Sequence, residues 1–190
     1  MSEAHSRRVP LPEDSTRSIV CFIAWVYCSK VPDIGDDTNN LILAMEAWVL
    51  ADKWCMPEWQ DMLMDQMMEY ARTYVIEPGM VAWVIDKLGT ESLLYQFIMH
   101  QFAWDQIHSE DHYSASDGTA IRVARAGELE ALLARTDFPH SEHQRSTMEC
   151  ARAISQARIS RKDEQLYQPA RNPCKYHVHE QGATCQKAKA

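Results

Sequence analysis

Asn40-Leu41-Ile42-Leu43-Ala44-Met45-Glu46-Ala47-Trp48-Val49-Leu50-Ala51-Asp52-Lys53-Trp54 decides the fold. Between Leu41 and Ala51 only Glu46 is polar. A helix that is apolar all round must be covered all round. The stretch therefore predicts the central core helix, over about 40–54, with Thr38 to Asn40 as candidates for its N-cap. Charge returns at Asp52-Lys53 and ends the run.

The neighbours must cover that helix. Downstream, Pro57 suits a first helical position, where its missing N–H would be unpaired in any case. Trp59, Met62, Leu63, Met67, Tyr70 and Tyr74 then repeat at helical spacing. Asp61, Asp65, Glu69 and Arg72 take the wet side. Upstream, acids and hydroxyls in Glu13-Asp14-Ser15-Thr16 favour a helix start over 15–28. In that helix Ile19, Phe22, Ile23 and Val26 form the inward stripe. Val20, Trp25 and Tyr27 make the rest of its surface largely apolar too. Before it, Val9-Pro10-Leu11-Pro12 reads as at most a short edge strand.

Beyond residue 74 the pattern continues more weakly. One helix opens at Pro78 and carries Val81, Trp83, Val84, Ile85 and Leu88, with Gly89 as a C-cap candidate. Another runs over about 91–105, with Leu94, Phe97, Ile98 and Phe102 inward. Residues 108–119 look loop-like, and 121–133 weakly helical. From 137 onward large apolar residues are sparse. Residues 141–164 have good helix formers but little to bury, and 168–190 read as disordered. The fold class is all-α. Its parts are a helical module over 1–74, a helical extension over 75–136, and a tail over 137–190 that combines a marginal helix with a basic, disordered end.

Composition narrows the function. The chain has 190 residues, 46% apolar and 24% charged, with a net charge of −8. The charge is unevenly spread. Residues 1–144 hold 10 basic against 23 acidic side chains, a net of −13, and residues 145–190 hold 9 against 4, a net of +5. The body should repel nucleic acid and anionic membrane, and only the tail has the sign for phosphate. The 6 glycines leave little room for a phosphate-cradling loop. The 6 cysteines form no C-x-x-C pair and read as reduced thiols of a cytoplasmic or nuclear protein. The N-terminus has no apolar signal region. The longest apolar run, 19–28, is about half of the ~20 residues that a membrane span needs.

Three motifs stand in order: Leu11-Pro12-Glu13-Asp14, Phe22-x-x-x-Val26-Tyr27, and Leu50-Ala51-Asp52-Lys53-Trp54-Cys55-Met56-Pro57-Glu58-Trp59. Together they resemble the C-terminal half of a BTB/POZ domain of the fungal type. Ser92-Leu93 and the run Cys174-Lys175-Tyr176-His177-Val178-His179 extend the resemblance. It covers about 9–71 closely and the remainder loosely. It implies a non-catalytic protein–protein interaction module with a self-association or adaptor role. Met1-Ser2-Glu3 is similar to the element that helps some family members contact cullin scaffolds of ubiquitin ligases. The family's N-terminal half has no counterpart in this sequence, so a start inside a longer ancestor is expected.

Other site candidates are thinner. Cys174, His177, His179 and Cys185 are four potential zinc ligands, but little folded mass is expected around them. They support only an alternative reading, a zinc- or nucleic-acid-binding module acting through the tail. A truncated product without activity is a further alternative. His108-x-x-x-His112 has ligand spacing and no third ligand. No catalytic constellation, cofactor site, metal site or small-molecule substrate is assigned. Met64 and Met68 lie off the buried stripe and are candidates for partner contact. The tryptophans are expected in the core. Finally, the first two helices are apolar on more than one face, so the chain is expected to be sticky or to need a partner.

Overall fold

The computed structural model describes residues 14–108, 131, 168–171 and 173–178. Among them are five α-helices and no strand. They are α1 (Thr16–Cys28), α2 (Thr38–Lys53), α3 (Pro57–Thr73), α4 (Pro78–Lys87) and α5 (Leu93–His108). Two one-turn 3-10 helices follow, Pro169–Arg171 and Pro173–Lys175. The all-α class read from the sequence is what the structure shows. The proposed edge strand at 9–12 and the helices at 121–133 and 141–164 lie outside the described residues, apart from Ala131.

Helix α2 is the central element, packed against α1 and α3. Leu41, Ala44, Met45, Ala47, Trp48, Leu50 and Ala51 are all buried. Its N-cap is Asp37, one residue before the predicted candidates. The Asp37 carboxylate accepts from the Asn39 N–H at 2.8 Å, satisfying one orphan donor of the first turn. Ile34, from the loop before it, plugs into the same core.

The α2–α3 joint explains why that stretch of sequence looks distinctive. Met56 N–H donates to Ala51 O at 2.9 Å, and Cys55 N–H donates to Asp52 O at 3.0 Å. This pair of bonds is a Schellman closure, and it needs a left-handed residue at its turn. Cys55 fills that place with φ 54°. Pro57 then starts α3 at once.

Around the joint Asp14, Phe22 and the 50–59 stretch, one described part of each sequence motif, come together. Lys53 Nζ pairs with Asp14 Oδ1 at 3.0 Å. The Phe22 ring meets Trp54 edge-on at 4.7 Å and lies 5.6 Å from Trp59. Trp25 stacks on Trp59 at 5.5 Å and donates its indole N–H to the Met62 sulfur at 3.4 Å. These residues lock α1 onto α2 and α3.

Several local expectations need correction. Trp48, Leu50 and Leu63 are buried as predicted, whereas Phe22 is only partly covered. Ile23 and Val26, expected on the inward stripe of α1, are exposed instead. The helix faces its neighbours with Ile19, Phe22 and Trp25, and its one buried residue is Ser18, whose hydroxyl donates to Ser15 O at 2.8 Å. Gly89 does not cap α4. The helix closes at Leu88 in extended geometry, with Leu88 N–H on Val84 O. Met64 and Met68, proposed for partner contact, are fully buried. They are core filler, because a further layer covers the face of α3 that they occupy.

Candidate functional site

That further layer is the segment 168–178. Read as part of a disordered tail, it instead lies against α3 and α5, and this corrects the sequence reading for these residues. Ala170 and Tyr176 are completely buried, and Gln168 and His177 nearly so. Its described residues form two one-turn 3-10 helices, Pro169–Arg171 and Pro173–Lys175.

The segment is held mainly by contacts to residues about 70 to 120 positions away. At its start, Gln168 Nε2 donates to Ala71 O at 3.1 Å. Ala170 N–H donates to Gln101 Oε1 at 3.1 Å, and Arg72 Nε donates to Ala170 O at 3.3 Å. At its far end, Val178 N–H donates to Asp61 Oδ1 at 2.7 Å, and His177 Nε2 donates to Asp65 Oδ1 at 3.1 Å. Asp61 and Asp65, expected on the wet side of α3, are therefore receptors for the segment.

Between these ends the Tyr176 ring inserts. It packs edge-on against Phe97 at 5.3 Å, and its hydroxyl hydrogen-bonds His100 Nδ1 at 3.0 Å. Burial pushes the Tyr176 hydroxyl well above its usual pKa, so it stays a phenol. Lys175 covers the ring from outside, 5.3 Å from its centroid.

Under the groove runs a buried polar chain. Gln101 Nε2 donates to Asp105 Oδ1 at 2.8 Å, while its Oε1 holds the segment. Asp105 Oδ2 accepts from Ile76 N–H at 2.7 Å. Desolvation raises the Asp105 carboxyl from 3.8 to about 7, against the lowering effect of its two donors. Each donor–acceptor pair satisfies groups that would be costly to bury alone.

Comparison with known proteins finds no matching family model, no matching curated protein and no matching solved structure. The BTB/POZ resemblance accordingly rests on the sequence motifs.

The second feature is a surface. Helix α1 exposes Val20 at 59%, Ile23 at 48%, Val26 at 51% and Tyr27 at 83%. At 3.6 residues per turn these positions share about a third of the helix circumference. They form one apolar face on the side away from α2. The sequence signalled it, since α1 was apolar on more faces than a bundle can cover. It assigned the wrong residues to the inside.

The remaining candidates are dispersed. Among the described residues, no group of three or more His, Cys, Asp or Glu is placed to hold a metal ion. Of the four proposed zinc ligands, Cys174 and His177 are described, and His177 is turned toward Asp65. His179 and Cys185 lie outside the described residues, as does His112. His108 closes α5, bonded to Trp104 O and stacked on the Trp104 ring. Trp48 and Trp59 are core residues as expected, and Trp25, Trp54 and Trp83 pack partly against the core. An open cleft between Asp14, Glu46, Trp83 and Lys87 has a volume of about 200 Å³. Its Asp14 is engaged by Lys53. No described helix is long and apolar enough to cross a membrane.

Proposed function

We propose that the chain is a non-catalytic protein–protein interaction module of the BTB/POZ type that self-associates through the apolar face of α1. The supporting observation is that face: Val20, Ile23, Val26 and Tyr27 side by side in solvent. A few hundred Å² of apolar surface left in water forfeits several kcal/mol at ~25 cal/mol per Å². Contiguous patches of that kind mark interaction sites. A second copy is the favoured occupant. It brings an identical apolar face, and two such faces form the dry centre of an isologous interface, whose standard size is about 800 Å² per partner. The BTB/POZ resemblance also implies self-association. An adaptor role toward a cullin scaffold is the wider function that the same resemblance implies.

The test is sedimentation velocity of the purified full chain across a concentration series, with the double variant Ile23→Ser, Tyr27→Ser as control. The unaltered chain should associate with rising concentration and bind a hydrophobic dye. The variant should stay monomeric with the same helical circular dichroism. A wild-type chain that is monomeric throughout and binds no dye would remove the basis of this reading.

A further inference from the structure

We propose that the groove between α3 and α5 is a peptide-binding site, and that it takes the segment 168–178 from a second copy of this chain as well as from its own. The contact has the chemistry of peptide recognition. A short piece inserts one aromatic anchor, Tyr176, between Phe97 and His100. Side-chain acceptors on the groove read its backbone: Gln101 takes the Ala170 N–H and Asp61 takes the Val178 N–H. Asp65 reads His177. Main-chain hydrogen bonds with pockets for a few side chains are how grooves hold extended ligands.

The second copy is the occupant because this sequence carries the one ligand shown to fit. Chain length alone does not restrict the segment to its own groove. Between His108 and Gln168 lie 59 residues. Such a connection spans up to roughly 200 Å when extended, at ~3.4 Å per residue, which reaches a neighbouring molecule. In cis the segment acts at a high effective concentration, so its own copy wins in dilute solution. Reciprocal exchange becomes competitive as protein concentration rises, by the domain-swapping route to dimers.

Two full-length variants test this by complementation. Both carry Ile23→Ser and Tyr27→Ser, which removes association through α1 and separates this result from the reading above. One adds Tyr176→Ala and His177→Ala, which spoils the segment and leaves the groove. The other adds Asp61→Lys and Asp65→Lys, which spoils the groove and leaves the segment. Neither can fasten its own segment well, and only the mixture pairs an intact groove with an intact segment. The mixture should form a 1:1 heterodimer at a level at least ten-fold above either variant alone. If both variants keep their helical circular dichroism and the mixture stays monomeric, the proposal fails.

Should either variant fail to fold, the unaltered ¹⁵N-labelled chain decides the matter by hydrogen exchange. An excess of unlabelled synthetic peptide covering 168–178 should speed exchange of the chain's own Ala170 and Val178 amides while helix amides hold their rates. Unchanged Ala170 and Val178 rates at saturating peptide would overturn trans binding.

Discussion

Cys55 carries a left-handed backbone, φ 54°, at the turn that joins α2 to α3. A non-glycine residue in that region costs about 1 kcal/mol or more, because its Cβ crowds the neighbouring carbonyl. The thiol is exposed and free, so little packing offsets the cost. Cys55→Gly is therefore expected to stabilise the chain by about 1 kcal/mol, less what glycine adds to unfolded-chain entropy. Urea unfolding of the two proteins checks this, and a lower midpoint for the variant would contradict it. At this scale the sequence was partly legible. Pro57 announced the start of α3, and the observed helix begins there. The cap of α2 was misplaced by one residue, because Asp37, Thr38, Asn39 and Asn40 are all competent caps. Gly89 looked like a helix stop, yet Leu88 closes α4 in an extended conformation that needs no glycine.

Elements are fixed less by their own pattern than by what covers them. Helix α3 shows this best. Its carboxylates Asp61 and Asp65 have the spacing of a solvated face. They face the segment 168–178, which lies more than 100 residues downstream. No local periodicity encodes such a contact, because the segment is too short and too polar to announce a buried face. The signal available was the run Cys174-Lys175-Tyr176-His177, where one aromatic sits among polar residues. Two substitutions measure how firmly this element is held. Tyr176→Phe removes only the hydroxyl bonded to His100 and is expected to cost about 1 kcal/mol. Gln101→Ala leaves the buried Ala170 N–H and Asp105 Oδ1 each short of a partner, and should cost about 2–6 kcal/mol, taking ~1–3 per group. Denaturant titrations give both values. If Gln101→Ala proves no worse than Tyr176→Phe, the bridging role of Gln101 is wrong. Helix α1 should behave in the opposite way. Its exposed Ile23 and Tyr27 carry little of the fold, so serine there should move stability by less than ~0.5 kcal/mol.

For the whole molecule, the buried polar chain under the groove predicts how stability depends on pH. Asp105 is the titrating member. Its carboxyl is raised from 3.8 to about 7 by desolvation, which outweighs the donors from Ile76 and Gln101. The folded state thus binds the Asp105 proton more tightly than the unfolded state does. Between pH 4 and 7 the unfolded chain has released that proton while the folded chain still holds it. Stability rises with pH only where the unfolded state binds more protons, so here the Asp105 contribution falls as pH rises. It is fully present below about pH 4, is lost progressively up to about pH 7, and is flat beyond. The span from 3.8 to about 7 corresponds to on the order of 4 kcal/mol as an upper figure, since neighbouring groups relax. A single stability curve sums every ionisable group, so it does not isolate this one. The difference between the wild-type chain and Asp105→Asn does. Asparagine has a similar shape and no proton to exchange, although its single amide oxygen can accept from only one of the two donors, Ile76 N–H or Gln101 Nε2. The wild-type chain should lose stability relative to Asp105→Asn between pH 4 and 7, and the gap should then stay constant to pH 9. Urea unfolding at intervals of half a pH unit measures it. Parallel curves across the whole range would show that Asp105 titrates alike in both states and that the polar chain beneath the groove stays solvated.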